Sequence, residues 1–336
     1  MSGKNGRGEG LRKRILTGYR PTGKLHLGNL HGNLKRMIEL QEEAECFFFI
    51  ADWHALTTDY QEPSRLRAYT EDMVLDWLAA GIDPGKAAIY RQSDLPEVAE
   101  FHLYLSLITP LGWLERVPSF KEQQEQLRNK DISTHGFLGY PVLQAADILI
   151  VRADGVPVGE DQLPHLELTR EIVRRFNFLY GETFGEPQSL LSPSPRIPGT
   201  DGRKMSKSYG NYISLTDPPD EVRRKTLSMI TDPARRTRKD PGDPEKCSAF
   251  QLHKAYSADV LDDIAEKCRT AARGCVECKT MLAERIVESL LPFQERRRDM
   301  ESKPGYPWEV MREGLERVRP IASEVVREVR ERMGID

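Results

Sequence analysis

Ile15-Leu-Thr-Gly18, Pro21-Thr-Gly-Lys-Leu-His-Leu-Gly-Asn29 and Cys46-Phe-Phe-Phe-Ile-Ala51 are three short stretches near the start of the 336-residue chain. They decide the fold. The first and last predict buried strands, and apolar residues at helical spacing over Asn29–Glu43 predict a helix between them. A helix over Pro63–Ala80 and a strand over Ala87–Arg91 continue the alternation. Strands and helices in this order indicate a parallel sheet with crossover helices.

The second half of the chain is predicted to change character from Asp220 onward. Before that point, residues 147–151 predict an inner strand or a buried helix end, residues 155–162 a loop, and Leu163–Phe176 a helix. The proline- and glycine-rich residues 181–203 predict a long connection. After Asp220 helical patterns run to the C-terminus, and Pro320 should kink the last helix, Leu315–Met333, or mark its start.

The composition is that of a globular protein without a membrane span. Hydrophobic residues make up 39% and charged residues 30% of the chain, and its net charge is −3. This balance excludes a generally basic nucleic-acid binder, so such contacts would come from local patches such as Ala234–Lys239. Residues Met1–Arg14 lack the apolar core of a signal peptide and predict a disordered basic tail. We therefore expect a cytoplasmic protein.

A second glycine-bounded stretch, Gly199-Thr-Asp-Gly-Arg-Lys-Met-Ser-Lys-Ser-Tyr-Gly-Asn211, carries two lysines three residues apart. Lys204 and Lys207 are mobile cations that can grip a polyphosphate. Alone, the stretch is equally typical of a solvated surface turn. The earlier turn adds His26 and Asn29, which can donate hydrogen bonds to phosphoryl oxygens at the start of a helix, where phosphate is favoured. Together, the two loops predict a divided nucleotide site.

These two loops resemble the signature motifs of the class I aminoacyl-tRNA synthetases. His26-Leu-Gly-Asn29 is similar to their HIGH motif, and Lys204-Met-Ser-Lys-Ser208 matches their KMSKS motif letter for letter. The first loop is neither a Walker A loop nor a G-x-G-x-x-G dinucleotide fingerprint. The resemblance implies an α/β fold, with a Rossmann-like parallel-sheet catalytic domain and a helical anticodon-binding domain. It also implies activation of an amino acid with ATP and Mg²⁺, followed by transfer to tRNA.

Further segments resemble the tryptophanyl-tRNA synthetases in particular, so that the likeness runs from about Ile15 to the C-terminus. They are Leu114–Lys121, Tyr140–Asp147, Gly155–Gln162 and Leu166–Ile172. A tyrosyl enzyme is the nearest alternative, because its Tyr-x-x-x-Gln-x-x-Asp pattern can also be placed on Tyr140, Gln144 and Asp147. The Gly-Glu-Asp-Gln and Leu-Glu-Arg sequences favour tryptophan, whose indole needs a flat apolar slot and one acceptor for its N–H.

The resemblance implies roles for individual residues. Transition-state contacts would come from His26, Asn29, Lys204 and Lys207. ATP would contact Arg20, Pro21, Thr22, Gly28, Asn29, Gly159, Glu160, Asp161, Ile197, Lys204, Met205, Ser206, Lys207 and Ser208. Tryptophan would contact Leu16, Gly18, His54, Tyr140, Gln144, Asp147, Val156, Val158 and Gln162. Within that set, Asp147 would accept the indole N–H, and Tyr140 and Gln144 would hold the ammonium group. Arg20 departs from the family, since many bacterial members have glutamine there.

Four of the five cysteines crowd into one short region. Cys247, Cys268, Cys275 and Cys278 form a C-x20-C-x6-C-x2-C pattern, whereas Cys46 stands in an apolar run and is expected in the core. Zinc ribbons usually show two tight pairs of cysteines and this pattern has one. Four thiolates with uneven spacing can hold a [4Fe–4S] cluster, and a subset of tryptophanyl enzymes carries this pattern. Zinc and free thiols remain the alternatives.

The resemblance also implies domains and partners. The expected division is a tail over 1–14, a catalytic domain over 15–211, a helical anticodon-binding domain over 212–313, and a C-terminal helix over 314–336 that packs back on the catalytic domain. The expected partners are L-tryptophan, tRNA(Trp) and a second copy of the chain. Two other classes stay open, a nucleotidyltransferase that does not use tRNA and a tryptophan-binding protein without catalysis.

Overall fold

The computed structural model describes residues 12–117, 132–191 and 197–336, with the side chain of Ser208 left out. Most of the expected tail, residues 1–11, and the second half of the Leu114–Lys121 segment lie outside the described residues. Arg14 was expected in the tail but belongs to the first strand, where its backbone N–H donates to Asp154 at 2.8 Å. The first strand therefore begins one residue before the predicted domain boundary.

The described residues form one five-stranded sheet in which all neighbouring strands are parallel. Its strands are β1 Arg14–Tyr19, β2 Glu45–Ile50, β3 Ala87–Arg91, β4 Gly155–Val158 and β5 Gln188–Leu191. Their order across the sheet is β3-β2-β1-β4-β5. The parallel sheet that we predicted is thus confirmed. Parallel sheets of this kind bind ligands where the strand order reverses, which here is the crevice between β1 and β4.

Two strands were missed by the sequence analysis. Residues 155–162 were predicted as a loop, but they form β4 and a short 3₁₀ turn, Glu160–Gln162. Residues 181–203 were predicted as a connection, yet they contain the edge strand β5. Both strands have four residues, and β4 contains Pro157, which hides the usual strand pattern.

The helices are α1 Leu27–Asn29, α2 Lys35–Glu43, α3 Asp52–Asp59, α4 Leu66–Ala80, α5 Glu97–Ile108, α6 Leu111–Glu115, α7 His135–Ile150, α8 Leu163–Tyr180, α9 Pro219–Leu227, α10 Ser248–Tyr256, α11 Leu261–Arg269, α12 Cys275–Glu301 and α13 Tyr306–Met333. A π-helical turn, Leu30–Leu34, joins α1 to α2. The ambiguous residues 147–151 are the buried end of α7. Pro320 lies inside α13 and does not mark its start, which is at Tyr306.

Both faces of the sheet are covered, as the apolar strands require. Alternate residues point to opposite faces, so Phe48 and Ile89 join one buried cluster while Phe47 and Tyr90 join the other. Cys46 is 1% exposed, which confirms it as a core residue.

Helix α13 covers the edge strand β3 and contributes to both clusters, first with Val310 and later with Val318. It crosses β3 at Gly314, where a Cβ would lie 1.9 Å from the Ile89 carbonyl oxygen. Only glycine permits the helix to approach the strand backbone this closely.

The helical region after Asp220 packs directly against the sheet domain. The buried cluster that contains Phe48 continues through Val222, Leu252 and Phe293, so the two regions share one apolar core. Helix α12 packs along α4 and α9, and α10 also contacts it. None of the helices in the described residues is long and apolar enough to cross a membrane.

Candidate active site

A cavity of about 310 Å³ opens between the C-terminal ends of β1 and β4, at the point where the strand order reverses. Its size lies at the lower end of the range of small-molecule sites. All nine residues predicted to contact tryptophan line it, and Arg20 and Gly159 from the predicted ATP set join them. The cavity is also lined by Thr17, Tyr19, Asn33, Phe49, Ala51, Thr57, Ile148, Pro157 and His165. The structure therefore brings together the whole tryptophan set.

A buried carboxylate lies at the bottom of this cavity. Asp147 follows Tyr140 and Gln144 on α7 at spacings of four and three residues, which places all three on one helix face. Its side chain is 2% exposed and accepts hydrogen bonds from two neighbours. His54 Nε2 lies 2.9 Å from one oxygen, and the Gln92 amide donates to both at 2.8 and 2.9 Å. Burial raises the pKa of Asp147, while its contact with His54 acts in the opposite direction.

The two donors are held by the ends of neighbouring strands. Asp52, two residues after the end of β2, accepts hydrogen bonds from the backbone N–H and the hydroxyl of Ser93, at 3.1 and 2.5 Å. That contact joins the start of α3, which carries His54, to the turn after β3, which carries Gln92. The orientation of Asp147 is therefore set by the sheet framework and not by a flexible loop.

A chain of hydrogen bonds forms another side of the cavity. The Tyr140 hydroxyl lies 2.9 Å from His165 Nε2, and His165 Nδ1 lies 3.0 Å from the Gln162 side-chain oxygen. The Gln162 amide in turn donates to Asp161 at 3.2 Å. Burial, with a smaller contribution from His54, lowers the pKa of His165 to about 4, so this imidazole is neutral near pH 7. The chain connects Tyr140, which was predicted to hold the ammonium group, with Asp161 of the predicted ATP set.

The apolar wall of the cavity depends on a glycine. A Cβ on Gly18 would lie 2.3 Å from the Phe49 ring, so only glycine lets the end of β1 lie flat against that ring. Leu16, Val156 and Val158 are buried around it. The result is an apolar wall in a cavity that also holds the buried acceptor Asp147, and an indole requires both.

The turn after β1 that carries His26, called the phosphate turn below, leads into α1. Asn29 accepts the backbone N–H of His26 at 3.0 Å, which fixes the start of the helix. His26 is 6% exposed, and its Nδ1 has no hydrogen-bond partner among the described residues. Burial, together with the charges of Lys207 and Lys204, lowers its pKa to about 4. A neutral imidazole with an unpartnered buried nitrogen is suited to hydrogen bonding with a ligand.

The second loop is organised by one buried amide. Asn211 is 3% exposed; its side-chain oxygen accepts the Ser206 N–H at 2.8 Å, and its nitrogen donates to Asp201 and to the Lys204 carbonyl at 2.6 and 3.2 Å. An antiparallel bridge between Pro198 and Lys204 closes the other side. The loop is thereby folded with the Lys204 side chain exposed to solvent.

The two loops touch each other, although they are far apart in the sequence. Lys207 Nζ donates to the Gly23 carbonyl at 2.7 Å, and the backbone at Gly28 faces the Met205 side chain. Burial and the nearby Arg20 lower the pKa of Lys207 to about 8, whereas Asp76 acts against this shift. The two loops that we predicted to form a divided nucleotide site are therefore in direct contact in space.

The remaining predicted ATP residues lie around this site. Gly159, Glu160 and Asp161 form the turn between β4 and α8, with both carboxylates exposed. Ile197 is buried, and its carbonyl accepts the Met205 N–H at 3.2 Å. Pro21 and Thr22 lie in the turn after β1.

Three of the four cysteines of the helical region have raised pKa values. Burial raises the pKa of Cys247, Cys268 and Cys278, and the charge of Cys275 acts in the same direction on each. Cys278 Sγ also lies 3.3 Å from His253 Nε2. However, no group of three or more His, Cys, Asp or Glu residues in the described ranges is arranged to hold a metal ion. The iron–sulfur cluster therefore stays a prediction.

The sequence analysis missed Phe49 and His165, which line the cavity, and Gln92, which donates to the Asp147 carboxylate. Gln92 directly follows β3, so the rule that parallel sheets bind ligands at the carboxyl ends of their strands could have found it. His165 lies on α8 without a sequence signal. Phe49 looks like any core residue of β2, and only the fold turns it towards the cavity.

Comparisons with known proteins agree with this site. Residues 10–291 match the family described as tRNA synthetases class I (W and Y). A tryptophan--tRNA ligase from Thermotoga maritima is 51% identical, over 96% of this chain and 99% of its own length. One from Treponema pallidum is 45% identical, over 96% and 97%. The crystal structure of tryptophanyl-tRNA synthetase from Campylobacter jejuni complexed with ADP and tryptophan matches with a TM-score of 0.87 and 34% identity, over 96% and 99%.

The matched profile spans well over half of the chain, and the relatives match nearly all of it. The chain belongs to the class I tRNA synthetases of the W and Y family.

Proposed function

We propose that this chain is a tryptophan–tRNA ligase. The observation that carries the proposal is the cavity between β1 and β4, with the buried Asp147 at its bottom and the two phosphate loops near its opening. An indole N–H needs one acceptor in an apolar slot, and the cavity offers that arrangement. Relatives that cover nearly the whole chain bear the same name.

In the proposed complex, the nine residues predicted to contact tryptophan bind different parts of the substrate. Asp147 accepts the indole N–H, while the Tyr140 hydroxyl and the Gln144 side chain hold the ammonium group. The hydrogen bonds from His54 and Gln92 keep the Asp147 carboxylate oriented before substrate arrives. Preorientation of this kind lowers the cost of binding, because fewer side chains are ordered at that moment.

ATP is proposed to bind where the two loops meet. His26 and Asn29 contact the phosphates from the turn after β1, and Lys204 and Lys207 contact them from the other loop. The unpartnered Nδ1 of His26 supports this placement, since a buried polar atom requires a partner. Mg²⁺ is expected on the triphosphate, with few ligands from the protein.

The reaction has two steps. An oxygen of the tryptophan carboxylate bonds to the α-phosphorus of ATP, the bond to the bridging oxygen of the β-phosphate breaks, and pyrophosphate leaves. The terminal ribose hydroxyl of tRNA then attacks the acyl carbon, and AMP leaves. The chain supplies position and charge but no covalent nucleophile: Lys204, Lys207 and His26 stabilise the negative charge that develops on the phosphoryl oxygens.

The direct test is tryptophan-dependent exchange of pyrophosphate into ATP, followed by charging of tRNA. Exchange and charging with tryptophan are expected. Exchange with tyrosine alone would establish the tyrosyl alternative, and exchange without charging would favour a tRNA-independent nucleotidyltransferase. Tryptophan binding without exchange would leave a binding protein.

The helical region is proposed to bind the anticodon side of tRNA, with domain limits of 15–211, 212–313 and 314–336. Support comes from the loop 234–239, where Arg236, Arg238 and Lys239 are exposed and carry positive charge. Arg235 of the same loop donates to the Arg273 carbonyl at 2.9 Å, which ties the loop to the cysteine region. The variant Arg238→Glu should weaken tRNA charging and leave exchange unchanged. Unchanged charging at low tRNA concentration would remove this loop from the interface.

We further propose that Cys247, Cys268, Cys275 and Cys278 hold a [4Fe–4S] cluster. Four thiolates are the donors that such a cluster takes. Arg235 connects two of the cysteine segments, because it donates to Cys268 Sγ at 3.9 Å and to the Arg273 carbonyl, two residues before Cys275, at 2.9 Å. The cluster would bind the segments around α11 and α12 together, and no step of the reaction requires it. Anaerobically purified protein should contain iron and sulfide and absorb broadly in the visible blue. One zinc without iron, or neither metal, would contradict the cluster.

A homodimer is proposed from an exposed apolar face. Leu103 and Leu107 on α5 are 57% and 70% exposed, and Leu111 on α6 is 58% exposed. Residues four apart on a helix share a face, so the two α5 leucines form a stripe that a second copy could cover. Sedimentation should show a dimer for the parent chain and a monomer for Leu107→Lys. A parent chain that sediments as a monomer would exclude the homodimer.

We assign the tryptophan–tRNA ligase activity to the cytoplasm, where tRNA charging serves protein synthesis.

A further inference from the structure

A buried carboxylate lies beneath the phosphate turn and is not explained by substrate binding. Asp76, on α4, is 1% exposed. One of its oxygens accepts a hydrogen bond from the Arg297 guanidinium, and the other accepts the backbone N–H of Leu25 at 3.3 Å. Leu25 directly precedes His26, so the carboxylate is one residue away from the first phosphate-binding side chain.

The same turn is held from its opposite end by the second loop. Lys207 donates to the Gly23 carbonyl, two residues before Leu25. The Leu25 carbonyl accepts the backbone N–H of Leu215 at 3.0 Å and the Ser214 hydroxyl at 3.1 Å. Residues 23–25 are thus fixed by the KMSKS-type loop on one side and by Asp76 on the other.

Arg297 connects this carboxylate to the helical region. It lies near the end of α12, the helix that begins at Cys275, and its side chain is 7% exposed. The guanidinium also donates to the Asp72 carbonyl at 3.0 Å and to Glu301 at 2.9 Å. A buried ion pair adds little net stability compared with apolar residues of the same volume. Its presence at this point therefore calls for a function other than stability.

We propose that Asp76, oriented by Arg297, is a positioning residue for adenylate formation: it holds the Gly23–Leu25 turn where that turn can present His26 and receive Lys207. The proposal rests on the proposed function, because it assigns the turn to the phosphates of ATP. Because Arg297 lies on α12 and Asp76 on α4, the packing of these two helices then influences the position of the Gly23–Leu25 turn.

The charges around Lys207 support the same role for Asp76. The groups that face Lys207 are Asp76, Arg20 and His26. Arg297 and the Asp72 carboxylate, which accepts from it at 2.5 Å, lie behind Asp76, and Tyr69 lies beside Gly23. Burial raises the pKa of Asp76 to about 6, with Arg297 acting in the opposite direction, so the carboxylate is ionised above that pH. In that form it raises the pKa of Lys207, which burial lowers to about 8, and so helps to keep the ammonium charged.

The variant Asp76→Asn tests the proposal with little change of shape. Asp76 faces donors on both sides, and an amide can accept from one of them only while it turns its NH₂ group towards the other. We expect kcat for tryptophan-dependent exchange to fall about tenfold, the effect of losing one hydrogen bond to a charged group. The dissociation constant for tryptophan should stay within about twofold, because Asp76 does not line the cavity. The alkaline limb of kcat/KM for ATP should move to lower pH, since Lys207 loses a neighbouring negative charge.

The matched control is Glu301→Gln, which makes the same change of charge on another partner of Arg297 but has no contact with the turn. Its kcat and its alkaline limb should equal those of the parent chain. Arg297→Lys, which keeps the charge and loses the forked geometry, should shift kcat in the same direction as Asp76→Asn, but less.

An Asp76→Asn protein with unchanged kcat and an unmoved alkaline limb would overturn the proposal. So would a loss of rate equal to the loss of tryptophan-binding sites, because the carboxylate would then only support the fold. Absence of exchange in the parent chain itself would instead refute the proposed function.

Discussion

The cavity proposed to bind tryptophan and the two phosphate loops, which carry His26 and Lys204–Lys207, lie side by side at the carboxyl edge of one sheet. They are built differently. In the cavity, the carboxylate of Asp147 already has its partners, His54 and Gln92, and the side chains stand on strands and helices. In the phosphate loops, His26 Nδ1 has no partner in the described residues, and Lys204 points into solvent. The carboxylate of the cavity is held by protein donors, whereas the two loops leave a buried ring nitrogen and an exposed ammonium group available to a ligand.

This difference corresponds to two tasks. Recognition of an amino acid needs a fixed shape, because selectivity depends on a slot that does not adapt to the wrong side chain. Stabilisation of a transition state needs charges that act when the phosphorus is attacked, and loops can bring them there. Substitutions in the two regions should therefore affect different kinetic constants.

The largest expected effect comes from Lys207→Ala. Loss of one group that stabilises developing charge costs about 10²–10³-fold in kcat, so adenylate formation should slow by about that factor. The dissociation constant for tryptophan should hardly change. Lys204→Ala should behave in the same way. Pre-steady-state measurement of adenylate formation, together with equilibrium binding of tryptophan, checks both.

The control for these variants is Lys86→Ala. Lys86 is an exposed lysine that pairs with Glu42 just before β3, at the opposite edge of the sheet. It should retain the parent rate. If Lys207→Ala lost tryptophan binding and adenylate formation equally, the loop would hold the fold and the distinction between the two regions would fail.

The next largest effect is expected from Asp147→Asn. The variant loses a hydrogen bond between the indole and a charged group, worth about 1.5–3 kcal/mol, so tryptophan affinity should fall about 10- to 100-fold. Once tryptophan is saturating, kcat should change much less. Calorimetric binding and exchange kinetics separate the two constants.

An analogue of tryptophan sharpens this test. In the benzothiophene analogue, sulfur replaces the indole N–H. The parent chain should bind it more weakly than tryptophan, and Asp147→Asn should bind the two alike, since the donor has lost its acceptor. Equal discrimination in both proteins would show that Asp147 does not contact the indole nitrogen.

The pH dependence should distinguish the regions as well. Burial lowers the pKa of Lys207 to about 8, so the free protein loses this positive charge as the pH rises through that value. The value of kcat/KM for ATP should therefore fall above about pH 8, while tryptophan binding remains level. In Lys207→Ala this alkaline limb should be absent. An alkaline limb that survives in the variant would have to come from another group.

The smallest effect is expected from Asn211→Ala. It removes the buried amide that organises the second loop and leaves Lys204 and Lys207 in place. Stability should fall by about 1–3 kcal/mol, as for other buried polar groups that lose a partner. The rate of adenylate formation should fall severalfold, because the lysines are less well placed. Thermal unfolding and exchange kinetics measure the two effects, and tryptophan binding should be unaffected.

Much of the candidate active site could be predicted because many of its residues lie close together in the sequence. Lys204 and Lys207 lie in one loop, His26 and Asn29 in one turn, and Tyr140, Gln144 and Asp147 on one helix face. His165 could not be assigned in this way, because it joins the cavity from an element that is distant in the sequence. Gln92 was missed although its position directly after β3 could have indicated it. The strand β4 was missed because its four residues, with a proline among them, have no strand pattern of their own.

The sequence by itself indicated a parallel sheet and two glycine-bounded loops, because strand alternation and glycine turns act over a few residues, and its resemblance to a known family implied nine of the residues that line the cavity. Only the tertiary structure decided how Lys207 meets Gly23, how Asp147 is oriented, and that Asp76 links α12 to the phosphate turn. Those contacts join residues far apart in the chain, and burial and charge in a packed core fix them. Local preference does not encode that environment.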